Sequence, residues 1–573
     1  MKLIKISLFA FSLLIVILFL ESCSIFGIHY SVHNPKHEGK VPKFTNERIL
    51  LGELTTYRSC FDVSYYDLSL DINPEEKSLN GIVEIHAKAL EDFDTIQIDL
   101  HKNFDVTQLI EVDNNIPLNF HRRERAIFIQ IHKNKNEVFK LKIRYNGKPK
   151  VAKKPPWKGG FVWKKDDDGN HWDGVACESI GASIWWPLKD HTSDEPDSMR
   201  LHYTVPKGLM AIGNGSFEGK INALNKTTYN WFISYPINTY NVSIYIGKFK
   251  KIEDEYIGIN GKSLSISHYV LEKNYEKAKL HFKQLHPQLA LYEKRFGEYP
   301  WYKDGFKLVE SPYEGMEHQT AIAYGNRYKN DSYSLTDYII LHETAHEWWG
   351  NSVTARDLAH VWLQEGFATY SEALFYEEKN GFEAYENQLY WNRIFIKNKY
   401  PLVVMEGRRW FHFRKNSDVY DKGAWVLHSL RRQINNDDIF FEIIKDFAKR
   451  NKYQIVDSKD FINIVNEKTN SDYNWFFNHY LYKNEAPTLS YAVSSDGVIF
   501  YKWSNTDSNF NKLQLKIKSK NQVIKITPTN KIQTLSLPKT EYGGWNYLFL
   551  EEVLFAFKKD KSLITKHKKL KNN

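Results

Sequence analysis

Between Thr45 and about residue 255, apolar residues occupy every second position in a series of short segments. Tyr66, Leu68, Leu70 and Ile72 form one; Val83, Ile85, Ala87 and Ala89 form a second; Ile96, Ile98 and Leu100 a third. Ile127, Ile129 and Ile131, and then Phe139, Leu141, Ile143 and Tyr145, continue the pattern. A period of two puts alternate side chains on one face of a pleated strand, so an all-β domain is predicted over 45–255. Near residue 270 the alternation stops. Asn274 to Gly297 carries Leu280, Phe282, Leu285, Leu289 and Phe296 at spacings of two to seven. Further helices are predicted over 335–349, 362–379, 423–433 and 438–450, which makes 256–487 a mostly helical domain. After Pro487 the strand pattern returns at Leu513, Leu515 and Ile517 and again at Leu535 and Leu537, predicting a small β domain over 488–573. The fold class is therefore multi-domain α+β, without internal repeats.

The N-terminus has its own pattern. Lys2 and Lys5 precede an apolar run from Leu8 to Leu20 broken only by Ser12, and Glu21-Ser22-Cys23 follows. Thirteen residues are short of the roughly 20 that a membrane-spanning helix needs, so the run reads as an export signal over 1–22. Leu20-Glu21-Ser22-Cys23 resembles a bacterial lipobox, which implies cleavage before Cys23, acylation of that cysteine and attachment to a cell membrane, with the outer membrane preferred. An ordinary secretory signal is the alternative. The polar stretch 23–44, with Gly27, Pro35, Gly39 and Pro42, is expected to be a tether. Cys60 and Cys177 then remain; they could pair in an oxidising compartment, and the sequence leaves that open.

Composition adds exclusions. With 42% hydrophobic, 26% charged and 15% aromatic residues in 573, the chain is globular and neither disordered nor fibrous. The formal charge of +9 comes mostly from the last sixteen residues, where seven Lys meet one Asp. A solvated or frayed end is expected there, and no nucleic-acid partner, because such a partner needs a basic face on a folded domain.

The chemistry concentrates at His342-Glu343-Thr344-Ala345-His346. Residues four apart share a helical face, so His342 and His346 can offer imidazoles to one ion, with Glu343 about 100° round the helix and free to act on a water. Glu365 follows His346 with eighteen residues between them, inside Trp362-Leu-Gln-Glu-Gly-Phe-Ala-Thr-Tyr. Two His and one Glu are a catalytic zinc set rather than a structural one, since the fourth position stays open. One Zn2+ per chain is expected.

These residues resemble the zinc aminopeptidase N and leukotriene hydrolase family, which are gluzincin metallopeptidases. Tyr313-Glu-Gly-Met-Glu-His-Gln319 is similar to that family's Gly-x-Met-Glu-Asn box, Tyr420-Asp-Lys-Gly423 to its Tyr-x-Lys-Gly segment, and Trp186-Pro187 through Asp194-Glu195-Pro196 to its Phe-Pro-x-x-Asp-Glu-Pro stretch. Together they cover about residues 50–490. The resemblance implies an N-terminal β-sheet saddle, a thermolysin-like catalytic domain and a small C-terminal β-sandwich. Many relatives add a long helical domain for which this chain ends too early, so a more open site is expected.

Removal of N-terminal residues from peptides is the activity the resemblance implies. Glu317 takes the role of anchor for a free α-ammonium, with Gly315 and Met316 lining the substrate backbone, and Tyr420 that of donor to the oxyanion. Where the family usually has a second, glutamine contact to the amine, this chain places Glu178. A second carboxylate strengthens the hold on an ammonium but raises one pKa of the pair, so visible pH dependence is expected. Glu314 and His318 also depart from the box, standing for Gly and Asn. Glu372, seven residues beyond Glu365, falls on the same helical face and suits a partner for a zinc histidine. The paired tryptophans 185–186 and 348–349 are read as core. Three rivals remain: a thermolysin-like endopeptidase, which does not need the amine anchor; an anchored binding protein with a relic zinc site; and an epoxide hydrolase of the leukotriene hydrolase branch.

Overall fold

The computed structural model of the chain describes residues 32, 34–35, 39–41, 43–331, 335–409, 417–519, 522–537, 548–550 and 552–572. The export signal, Cys23 and the first part of the tether lie outside them. Among the described residues no helix is long and apolar enough to cross a membrane.

An eight-stranded sheet dominates the N-terminal region. Its central strand Phe61–Asn73 pairs antiparallel with Ser78–Ala89 and parallel with Ser198–Pro206. One transverse row shows why the alternation produces this sheet. Trp231, Leu201, Leu68, Val83, Ile143 and Leu109 stand opposite one another on six successive strands, and all are buried. Each such side chain contributes about 1.5–3 kcal/mol by leaving water. A three-stranded sheet built on Phe93–Asp99 joins the same core through Ile96 and Ile98. A short four-stranded sheet containing Trp172–Ala176 leads directly to Glu178.

The strand Phe249–Ile257 departs from the expected boundary at residue 255. It pairs with Ser263–Leu271, and that hairpin continues through Leu308–Glu310 and Ile322–Tyr324 to Gly315–Met316. The hairpin thus shares its sheet with strands of the region that follows. Alternation identifies a strand but carries no information about which sheet it joins.

The helices that follow are α1 (Leu285–Phe296), α2 (Tyr338–Ala345), α3 (Trp362–Asn380), α4 (Phe382–Phe395), α5 (Asp421–Ile434), α6 (Asp437–Arg450) and α7 (Ser458–Thr469). Phe367 on α3 is their hub, with the rings of Trp349, Trp362, Phe447 and Phe461 at 4.7–5.8 Å from its own. The α3–α5 crossing is tight. A Cβ on Gly366 would come within 2.9 Å of the Gly423 backbone, so only glycine lets the two helices approach closely enough to bring Glu365 and Tyr420 together. Trp185, Trp186, Trp348 and Trp349 are buried.

The C-terminal strands form a four-stranded and a three-stranded sheet that meet where Phe549 packs between Tyr491 and Phe557. Two expectations are corrected here. The lysine-rich end is not frayed: Ser562–Asn572 is a helix whose Leu563 is buried against Ala492 and Phe500. Lysines dominate that stretch because the helix needs only a narrow apolar stripe. Nor do the described residues of 32–41 form a free tether. Val32 is buried, Asn34 hydrogen-bonds both the nitrogen and the oxygen of Ala486, and Gly39 donates to Lys399 O. Cys60 and Cys177 are buried and unpaired.

Candidate metal centre and acidic cleft

Helix α2 starts at Asp337, whose carboxylate accepts from Ile339 N and also from the hydroxyl of Tyr324. This cap fixes the N-terminal end of the helix. At the other end His342 and His346 project their Nε2 atoms to within 3.1 Å of each other, and Glu365 Oε2 lies 3.4 Å from both. The opposite nitrogens are occupied. His342 Nδ1 is 2.7 Å from Glu372 Oε1, and His346 Nδ1 donates to Trp349 O at 2.7 Å. Each imidazole is therefore turned so that Nε2 faces the common point.

The donor set fits zinc. Three ligand atoms of the type zinc prefers lie within 4.8 Å of one another, and Glu365 Oε2 is buried without any hydrogen-bond donor, an arrangement that a cation would satisfy. Burial works against the Glu365 charge, but the two histidines hold its pKa down at about 2. Glu343 is not a ligand. Its side chain faces the same cleft, and burial, despite His342, pushes its pKa up to about 8. Gly315 explains how a strand passes over it, since a Cβ there would meet Glu343 Oε1 at 2.3 Å.

The cleft holds about 330 Å³. Glu178, Gly315, Met316, Glu317, Glu343 and Tyr420 all line it together with the three ligands. Carboxylate oxygens of Glu178, Glu317 and Glu365 lie within 4.8 Å of one another. Burial raises the pKa of Glu317, and burial and the neighbouring Glu317 charge raise that of Glu178 well above the carboxylate range, with Arg409 acting in the opposite direction. Tyr420 stands at the start of α5, with its ring 6.0 Å from that of His342. Burial, then the Glu365 charge, raises its phenol well above 10.

His318, by contrast, does not line the cleft: its Nδ1 meets the Tyr245 hydroxyl at 2.6 Å in the core. Glu314 does line the cleft and accepts from the Tyr338 hydroxyl. Several residues at the site carry no sequence signal. Tyr240 donates to Glu317 Oε1 at 3.1 Å, Asn351 donates to Glu317 O at 2.9 Å, and Arg409 pairs with Asp190 at 2.6 Å. Tyr240 is one of 35 tyrosines and sits 77 positions before its partner, so only the assembled fold reveals the contact.

A buried His/His/Glu donor set beside a free glutamate, in a carboxylate-lined cleft between a β-rich region and a helical one, defines a metallopeptidase-type centre. Residues 281–480 match the peptidase family M1 domain. The matched segment holds His342, Glu343, His346, Glu365 and Tyr420. The chain is 23% identical over 386 residues to a leucyl aminopeptidase of Saccharolobus solfataricus, covering 62% of this chain and 46% of the relative. To a leucine aminopeptidase 2-2 of Meyerozyma guilliermondii it is 26% identical over 446 residues, covering 72% and 67%. The chain spans about half the length of the first curated relatives it matches. Among solved structures, an M1 zinc metallopeptidase of Deinococcus radiodurans, crystallised as a mutant with a Tyr-Ser-Ala substrate, shares the fold at a TM-score of 0.62 and 20% identity, covering 74% of this chain and 95% of that one.

Proposed function

We propose that this chain is a zinc-dependent aminopeptidase that removes single residues from the N-termini of peptides. The observation that carries the reading is the position of Glu317 and Glu178, whose carboxylates converge beside the ligand Glu365. Two carboxylates there bind an ammonium and limit how far a peptide can enter.

His342, His346 and Glu365 would hold a zinc ion, which would supply Lewis acidity toward a water and the scissile carbonyl. Glu317 and Glu178 hold the substrate's ammonium, which sets the first peptide bond against the ligand set. Glu343 takes a proton from the attacking water and returns it to the departing amine. Tyr420 donates its phenolic hydrogen to the oxygen that becomes negative at the tetrahedral stage. The similarly folded Deinococcus protein was crystallised with a tripeptide, which is consistent with this substrate class.

A panel of aminoacyl amides with and without chelator tests the reading, with release of the first residue as the readout. Each free peptide is paired with its N-acetylated form. Cleavage of the free form alone supports an aminopeptidase; equal cleavage of both would instead support an endopeptidase.

We further propose that the mature chain is held at a bacterial cell membrane by a lipid on Cys23. Lys2 and Lys5, the short apolar run and Leu20-Glu21-Ser22-Cys23 support it. Metabolic labelling with a clickable fatty acid should mark the chain, and Cys23→Ser should remove the label; labelling that survives the substitution refutes the anchor.

A further inference from the structure

We propose that Tyr240 is a positioning residue that presents Glu317 to the substrate's ammonium; the proposal rests on the aminopeptidase reading above. Tyr240 lies in the three-residue turn Thr239–Asn241 of the N-terminal region and is 2% exposed. Its hydroxyl donates to Glu317 Oε1 at 3.1 Å.

The direction of that donation is fixed. Ala355 N donates to Gln364 Oε1 at 3.3 Å, so the Nε2 end of Gln364 is the one that faces Tyr240. Gln364 Nε2 then donates to the Tyr240 hydroxyl oxygen at 3.1 Å. A phenol has one proton, and with its oxygen already accepting from Gln364 that proton is directed to Glu317. The backbone of the same residue is held from the other side, since Asn351 donates to Glu317 O and itself accepts from Asn241 Nδ2 at 2.7 Å.

The consequence is selective. Near Tyr240 stand three carboxylates, those of Glu317, Glu178 and Glu365. Glu365 belongs to the metal-ligand set, and Glu178 Oε1 is buried without a hydrogen-bond donor. By occupying one oxygen of Glu317, Tyr240 fixes the rotation of that carboxylate and leaves its other oxygen and Glu178 to meet the ammonium. A hydrogen bond to a charged group is worth more than a neutral one, so losing it should be felt chiefly by ligands that carry the amine.

The test uses the zinc-loaded full chain. In a Glu343→Gln background, which prevents turnover, calorimetry compares leucinamide with 4-methylpentanamide, the same molecule without its amine. Tyr240→Phe should weaken leucinamide by about tenfold and leave 4-methylpentanamide unchanged. In the active enzyme the same substitution should raise KM for leucine anilide more than it lowers kcat, at unaltered zinc content. Gln364→Met, which leaves the hydroxyl in place but undirected, should give a smaller loss with the same selectivity. Equal losses for both amides, or no loss for leucinamide, would overturn the proposal. If the Tyr240-bearing protein itself binds both amides equally, the aminopeptidase reading fails; if it discriminates and Tyr240→Phe does not alter that, only the role of Tyr240 fails.

Discussion

Glu372 accepts the outer nitrogen of His342 at 2.7 Å, across thirty positions of sequence and from a different helix. The contact leaves the inner nitrogen of His342 as the one available to a metal. Glu372→Gln keeps an acceptor of the same shape but removes its charge, so the imidazole becomes a weaker ligand. Zinc affinity measured by chelator competition should fall by about 10–100-fold. Unchanged affinity would show that Glu372 merely fills space.

Glu343 shares the cleft with the ligands but coordinates nothing. Its substitution therefore separates metal binding from proton transfer. Glu343→Gln should retain one zinc per chain by elemental analysis while turnover drops by about 10²–10⁴-fold. Full activity in that variant would remove Glu343 as the base.

Tyr420 gives a contrasting pattern. In the proposed reaction its phenol serves the oxygen that gains charge and not the ground state, so Tyr420→Phe should lower kcat by about 10²–10³-fold with KM near the original value. A raised KM at unchanged kcat would place Tyr420 in ground-state binding instead.

The strands Phe61–Asn73, Ser78–Ala89 and Val138–Gly147 of the first sheet and the helices α1, α2, α3, α5 and α6 were legible because their apolar periods survive in local sequence, whereas α4 was not among the expected helices. Sheet membership was not legible, and the hairpin 249–271 shows the reason: Ser263–Leu271 begins with the same alternation as the preceding strands, yet its onward partner in the sheet, Val309, lies 40 residues beyond Tyr269. At the centre, His342, Glu343, His346 and Glu365 announce themselves by spacing, since a helix converts intervals of four into a shared face. Tyr240, Asn351 and Arg409 could not do so. Each acts through contacts to residues far away in the chain, among them Tyr240 to Glu317, Asn351 to Asn241 and Arg409 to Asp190, and no local period encodes such distances. The basic end was misread for a related reason, because one buried leucine, Leu563, holds a helix whose other positions are mostly polar.

Asp173 allows a pH test away from the metal. It is fully buried in the strand Trp172–Ala176, accepts from Lys164 N at 2.9 Å, and faces His171 at 3.4 Å with Glu75 beyond it. Burial pushes its pKa up from 3.8 to about 7, against the Lys164 hydrogen bond and the His171 charge. Between those two values the folded chain keeps the proton and the unfolded chain has lost it. The native state then binds more protons, so this group's contribution to stability declines as pH rises from about 4 to about 7 and is level above that. Asp173→Asn removes the ionisation while keeping the acceptor for Lys164 N. The variant should match the parent near pH 4 and exceed it by about 4 kcal/mol at pH 7.5, the difference opening across the interval between. Urea unfolding followed at pH 4.5, 6 and 7.5 measures it. Parallel stability curves for the two proteins would mean that Asp173 ionises in the folded state at an ordinary pKa.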